Sequence, residues 1–183
     1  MDNMWLPVFN QIEINLRYLF DKLDMIDPDL LEFKPDERSW SILQVCHHLI
    51  VSEELSLLYL NKKLKYKSNI PPAGISSFLR SFSLNLFMHF PFRLSAPQRV
   101  SEFPENLDWT ELKNRWTSVR AGLKTRLTNV PEEFKDKLVY KHPAAGRLTI
   151  YQMLTFFKTH INRHEGQIRR LIQAGTEWDR RNH

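Results

Sequence analysis

The sequence predicts an all-α protein, a four-helix bundle formed as a single domain over residues 1–183. Four separate segments repeat apolar residues at three- and four-residue steps, which draws one apolar stripe along each of four helices. No segment of comparable length alternates apolar and polar residues as a half-buried strand does. With 183 residues and 42% hydrophobic content, the chain is also long enough to bury one substantial core.

The first helix, approximately 3–26, aligns Trp5, Phe9, Ile12, Leu16, Leu19, Phe20 and Leu23, with Pro28 just past its end. The second, approximately 41–63, opens at Ser41 with Gln44 as capping partner and carries Ile42, Val45, Cys46, Leu49, Ser56 and Leu60 on one face. Asp108 and Glu111 open the third, approximately 108–129, which lines up Trp109, Leu112, Trp116, Val119, Leu123 and Leu127 before Pro131. The fourth, approximately 149–174, begins at Thr149 with Gln152. It stacks Ile150, Met153, Leu154, Phe157, Ile161, Ile168, Leu171 and Ile172 up to Gly175, read as its stop.

The connection over 64–107 holds Pro71, Pro72, Gly74, Pro91, Pro97 and Pro104 and is far longer than ordinary bundle loops. Its middle, with Phe78, Leu79, Phe82, Leu86 and Phe87, predicts a short extra helix, and its length permits a crossover topology. Core filling is the first expectation for the Phe-rich stretch from Phe78 to Phe92, with a dimer surface or a lid as the alternatives.

A single cysteine, Cys46, excludes an internal disulfide framework and is expected to be a small core hydrophobe. The N-terminus has no signal-peptide pattern, so a cytoplasmic location is expected. Ile75 to Leu94, the longest apolar-leaning stretch, is interrupted by Arg80, Asn85, His89, Pro91 and Arg93, so no membrane span is expected. The 26 basic and 21 acidic residues give a net charge of +5 with the cations scattered. That pattern favours anionic small molecules or weak nucleic-acid contact and is no evidence for a sequence-reading DNA binder.

At about 100° per residue, His164 falls about 30° and His160 about 70° from the apolar centre of the fourth helix. Two imidazoles at i and i+4 on a buried face are placed to share one divalent cation, the alternative being a pair of hydrogen-bonded core histidines. The zinc-protease pattern is excluded because Ile161 occupies the place where that chemistry needs a glutamate. A third ligand has to come from another helix. His48 and His47 lie about 110° and 150° from the apolar centre of the second helix, so His48 reaches inward more easily, though neither placement decides. Glu53 falls within about 30° of that centre, and a carboxylate there requires a partner. It is a candidate general base or support for a metal-bound histidine, or else an ion-pair partner of Arg115 or Arg120. His89 and His142 are expected in loops or turns.

Trp40-Ser41-Ile42-Leu43-Gln44-Val45-Cys46-His47-His48-Leu49-Ile50, then Glu53, is followed much later by His142-Pro143 and Gly146-Arg147-Leu148-Thr149. The last block is His160-Ile161-Asn162-Arg163-His164-Glu165-Gly166-Gln167-Ile168. In order and spacing this resembles the DinB/YfiT-like superfamily of metal-dependent four-helix-bundle proteins, in its DinB_2-type domain, over nearly the whole chain. The resemblance implies an up-down-down-up bundle that often forms a homodimer. It also implies metal ligands at the histidine before the Leu and at the two late histidines, here His48, His160 and His164. Characterised relatives include transferases and isomerases that use low-molecular-weight thiols.

Three neutral imidazoles leave a position open on zinc or nickel, as in a catalytic site. The expected chemistry is therefore attack by a thiolate on a small electrophilic substrate, that is, thiol S-transfer, with Arg147, Arg163 or Arg169 available to orient an anionic group. Two alternatives stay open: metal-dependent hydrolysis with Glu53 as base, and a non-catalytic stress-related binding module.

Overall fold

The computed structural model describes residues 4–66, 69–89 and 100–182. Among them are six helices and one hairpin: α1 (Leu6–Leu23), α2 (Pro28–Glu32), α3 (Ile42–Tyr66), α4 (Ile75–His89), α5 (Trp109–Thr128), β1 (Tyr140–His142), β2 (Gly146–Leu148) and α6 (Ile150–Asn182). The fold is predominantly helical. None of these helices is long and apolar enough to cross a membrane.

Capping sets the helix starts. The Ser41 N–H donates to Gln44 Oε1 at 3.1 Å and the Gln44 N–H to Ser41 Oγ at 3.2 Å, so α3 begins at Ile42. Thr149 and Gln152 make the same exchange at 3.0 and 3.2 Å ahead of α6. At α5 the Glu111 N–H donates to Asp108 Oδ1 at 2.8 Å.

Two of the boundaries that differ from expectation do so for a visible reason. The first helix ends at Leu23 because the chain turns at Asp24, and Asp27 then accepts the Asp29 N–H at 2.9 Å to start α2 at Pro28. Pro28 opens a second helix at its first position, where its missing N–H costs nothing. Gly175 does not stop the last helix, which continues to Asn182. A Cβ at 175 would overlap Leu30 Cδ1 and come within 3.0 Å of Phe33 Cδ1. The glycine serves the close approach of the α2 segment and not the end of α6.

The core is lined by Phe9, Ile12, Leu16, Leu23 from α1, Leu49 and Leu60 from α3, Trp116 and Leu123 from α5, and Phe157 and Ile168 from α6. Packing pairs α3 with α5 and with α6, and α1 with the same two helices. Cys46 is fully buried, and burial alone pushes its thiol up to about 12, in keeping with a core hydrophobe.

The hairpin pairs Tyr140 with Leu148 and His142 with Gly146, whose φ of 73° suits a residue without a side chain. It packs beside α3, and Ser56 Oγ donates to the Tyr140 hydroxyl at 3.1 Å. The expected turn around His142 is thus part of a hairpin.

The extra helix of the long connection is α4, docked on α6 and β2. Core filling by its aromatic residues is corrected: Phe78, Leu79, Phe82 and Leu86 are exposed, whereas Ser77, Ser81 and Leu84 face inward. The inward face is chosen by polar bonds to α6, with Thr159 Oγ1 donating to Asn85 Oδ1 at 2.8 Å. Residues 90–99, including the end of the Phe-rich stretch at Phe92, lie outside the described residues.

Candidate metal centre

α3 and α6 pack side by side, and their contact brings His48 against His160 and His164. His48 Nε2 is 3.2 Å from His160 Nε2, and His164 Nε2 is 3.1 Å from the same atom. The donor atoms of the three side chains all lie within 4.8 Å of one another, a group that could hold a metal ion. Metal–nitrogen bonds of about 2.0–2.1 Å at tetrahedral angles place ligand nitrogens about 3.3 Å apart. The two spacings to His160 Nε2 fit.

The outer nitrogens decide what the inner ones offer. His48 Nδ1 lies 2.9 Å from the Val100 carbonyl oxygen, which only accepts, so Nδ1 carries the proton and Nε2 presents a lone pair. His164 Nδ1 donates to Gln167 Oε1 at 3.0 Å with the same consequence. Two lone pairs therefore point at His160 Nε2, and a single N–H there satisfies only one of them. A cation at the centre satisfies all three.

Electrostatics keep the imidazoles neutral. Burial, then the neighbouring His164 and His48, hold His160 well below its ordinary range. Burial, then His48, brings His164 down to about 3. His48 is lowered by burial, partly offset by its bond to Val100. Neutral rings are the form that binds metal, with no proton to displace at pH 7.

Aromatic rings flank two of the histidines. Phe156 stacks on His160 with ring centroids 5.0 Å apart, and Trp40 lies 5.2 Å from His48. His47, buried and lowered chiefly by that burial, sits 5.8 Å from Phe103 and does not join the group. His48 and His160 are buried, and His164 is part-buried.

Glu53 sits elsewhere. Five residues beyond His48, it is rotated about 140° around α3, toward α5. Arg120 Nη1 donates to Glu53 Oε2 at 3.1 Å, while Arg120 Nε donates to Glu13 at 2.6 Å. Burial pushes the Glu53 carboxyl up, and Arg120 opposes the shift. Arg115, the other arginine weighed for Glu53, instead binds Glu54.

Among the arginines, Arg163 lies near enough to depress His160 and His164, and it donates to the Met88 carbonyl at 3.1 Å. Arg147 and Arg169 are exposed. His142 ends β1, where Nδ1 accepts the Ala144 and Ala145 N–H groups, and its ring is 4.5 Å from Phe156. His89, expected in a loop or turn, is instead the last residue of α4, its Nδ1 2.7 Å from the Asn85 carbonyl oxygen one turn back. Sequence reasoning missed Gln167 and Val100 as supports of the histidines. Gln167 had a signal, its i+3 spacing from His164; the Val100 carbonyl had none.

A sequence model of the DinB superfamily matches residues 11–168, a span that contains all three histidines. The Bacillus subtilis (strain 168) protein YuaE, described as uncharacterized, is 21% identical over 166 residues, covering 91% of this chain and 96% of that protein. No solved structure matches the chain. A match over most of the sequence, with a three-histidine group between two of its helices, establishes that the chain belongs to the DinB superfamily.

Proposed function

We propose that the chain is a metal-dependent enzyme in which His48, His160 and His164 hold one zinc or nickel ion, and which joins a low-molecular-weight thiol to a small electrophilic substrate. The observation behind this reading is the convergence of the Nε2 atoms while Val100 and Gln167 hold the outer nitrogens of His48 and His164. Nitrogen donors suit zinc and nickel, and three protein ligands leave room for a further one. When bound, the ion lowers the pKa of a thiol so that a thiolate nucleophile is available at neutral pH. The part-buried His164 side admits substrate, and Arg163 supplies positive charge beside it. Phe156 and Trp40 pack against His160 and His48 and shield those two rings. The resemblance to thiol-dependent relatives supports the same chemistry.

The proposed setting is a cytoplasmic homodimer, with α1, α3, α5 and α6 arranged as an up-down-down-up four-helix bundle. The competing hydrolytic reading needs Glu53 to leave Arg120 and turn toward the histidines.

Protein purified without a histidine tag is expected to retain about one metal ion per chain. Assayed with monobromobimane or a chloronitrobenzene, it is expected to turn over only when bacillithiol, glutathione, coenzyme A or cysteine is present, and not as His160→Ala. Thiol-independent hydrolysis abolished by Glu53→Gln would favour the hydrolase. Absence of metal together with no thermal shift on adding zinc or nickel would favour a non-catalytic stress-related binding module.

A further inference from the structure

We infer that the outward face of α4 is a self-association surface, on which a second copy of this chain packs its own α4 about a two-fold axis. Ile75 is 80% exposed, Phe78 65%, Leu79 55%, Phe82 57% and Leu86 49%. At about 100° per residue these five side chains occupy one arc about 100° wide. Phe78 and Phe82 stack with their rings 17° from parallel, which gives the stripe a flat aromatic centre.

A helix on a free surface normally turns such a stripe inward. α4 does the reverse: Ser77 and Ser81 face inward, and Asn85 accepts from Thr159 on α6. The polar side is already engaged by α6, so the apolar side is the one left for a partner.

Area and charge choose the partner. The five side chains expose roughly 500 Å² of apolar surface, close to the upper range for a monomer's largest patch. Two copies face to face would bury about 1,000 Å², the lower bound for a specific interface. The spacing of the five, at i, i+3, i+4, i+7 and i+11, is that of a helix seam and matches itself under a two-fold rotation. α4 holds one charged side chain, Arg80, and its guanidinium donates to the Arg147 carbonyl at 3.2 Å, so two copies meet without opposed like charges. A membrane-surface helix would instead carry lysine and arginine along its polar face, where α4 has serines and an asparagine already turned toward protein.

The inference names the surface for the homodimer proposed above and rests on that reading, but it is independent of the metal. Sedimentation equilibrium of the full chain from 1 to 100 μM is expected to show a monomer–dimer equilibrium. Phe78→Glu/Phe82→Glu is expected to weaken dimerisation at least about 100-fold with helical content and metal stoichiometry unchanged. Trp178→Glu, another exposed aromatic, is expected to leave it intact. As a second route, Phe82→Cys is expected to form a disulfide-linked dimer on mild oxidation, because Cys46 is buried and does not compete. A wild-type monomer at 100 μM would overturn both the homodimer reading and this one. A dimer that survives the double substitution, or an unlinked Phe82→Cys chain within that dimer, would overturn this inference alone. Recruitment of monomer to phosphatidylglycerol vesicles through the same residues would assign the face to a lipid surface and overturn it as well.

Discussion

Two polar clusters are buried on different sides of α3, and they are resolved in opposite ways. On the α5 side, Arg120 lies between Glu53 and Glu13 and over the Phe9 ring, so charge is answered by charge within the protein. On the α6 side, three neutral nitrogens converge, and two of them are held as acceptors by hydrogen bonds on the far side of their rings. The first cluster is charge-paired as folded, although Glu53 Oε1 and Arg120 Nη2 make no hydrogen bond. The second could hold a metal ion, and that difference makes the two clusters a test of charge paired within the protein against nitrogens free to take a ligand.

The largest effect that tests this division is expected at Arg120→Met. Removing the guanidinium leaves the Glu53 carboxylate buried without its cation, a change that costs about 3–5 kcal/mol in urea unfolding. Metal affinity is expected to stay within about threefold, and loss of metal from a folded Arg120→Met protein would show that the clusters are not separate. The histidine cluster is expected to behave in the opposite sense. Zinc or nickel at 100 times its Kd should stabilise the protein by about 2.7 kcal/mol, and this gain should vanish in His160→Ala. An equal gain in His160→Ala would place the metal elsewhere. Gln167→Ala should weaken metal binding ten- to a hundredfold, about 1.4–2.7 kcal/mol, because His164 loses the acceptor that orients it. Gln167→Glu, which keeps an acceptor, should restore most of that affinity, as isothermal titration would show.

How far the two clusters could be read from sequence depended on whether their partners were local. The i, i+4 spacing of His160 and His164 and the capping pairs Ser41/Gln44 and Thr149/Gln152 are set within one helix, and all appear as expected. A helical wheel describes only its own helix. His48 looked half turned away from the core, yet Val100 and Phe103 from the connection cover that face and bury both His48 and His47. The choice between Arg115 and Arg120 for Glu53 likewise depends on how α3 and α5 are rotated against each other, which no stripe specifies. The glycines make the same point. Gly166, near the histidines, is loosely surrounded, since a Cβ there would meet only Arg170 Nη1 at 3.7 Å. Gly175, which resembled a helix stop, is the tightly packed one. The same lack of information about neighbours made the α4 stripe look like core.

The smallest effect per step concerns pH, and His142 is the place to isolate it. His142 is buried next to Phe156 but outside the three-histidine group, and burial holds its imidazole at about 4, below an unfolded value of 6.5. Its Nδ1 faces two backbone N–H donors, so a proton added there would have to displace them. Between pH 6.5 and 4 the unfolded chain therefore binds a proton at this residue that the folded chain refuses. Stability rises with pH across that window and falls as the pH drops through it, by about 1.4 kcal/mol per unit. His142→Asn keeps an acceptor for Ala144 and Ala145 without a titrating ring. In metal-free protein, urea unfolding between pH 6.5 and 4.5 should show a shallower pH dependence for His142→Asn than for wild type by that amount. Parallel curves would mean that His142 takes up its proton in the folded state, and that burial next to the histidine group is not by itself enough to keep an imidazole neutral.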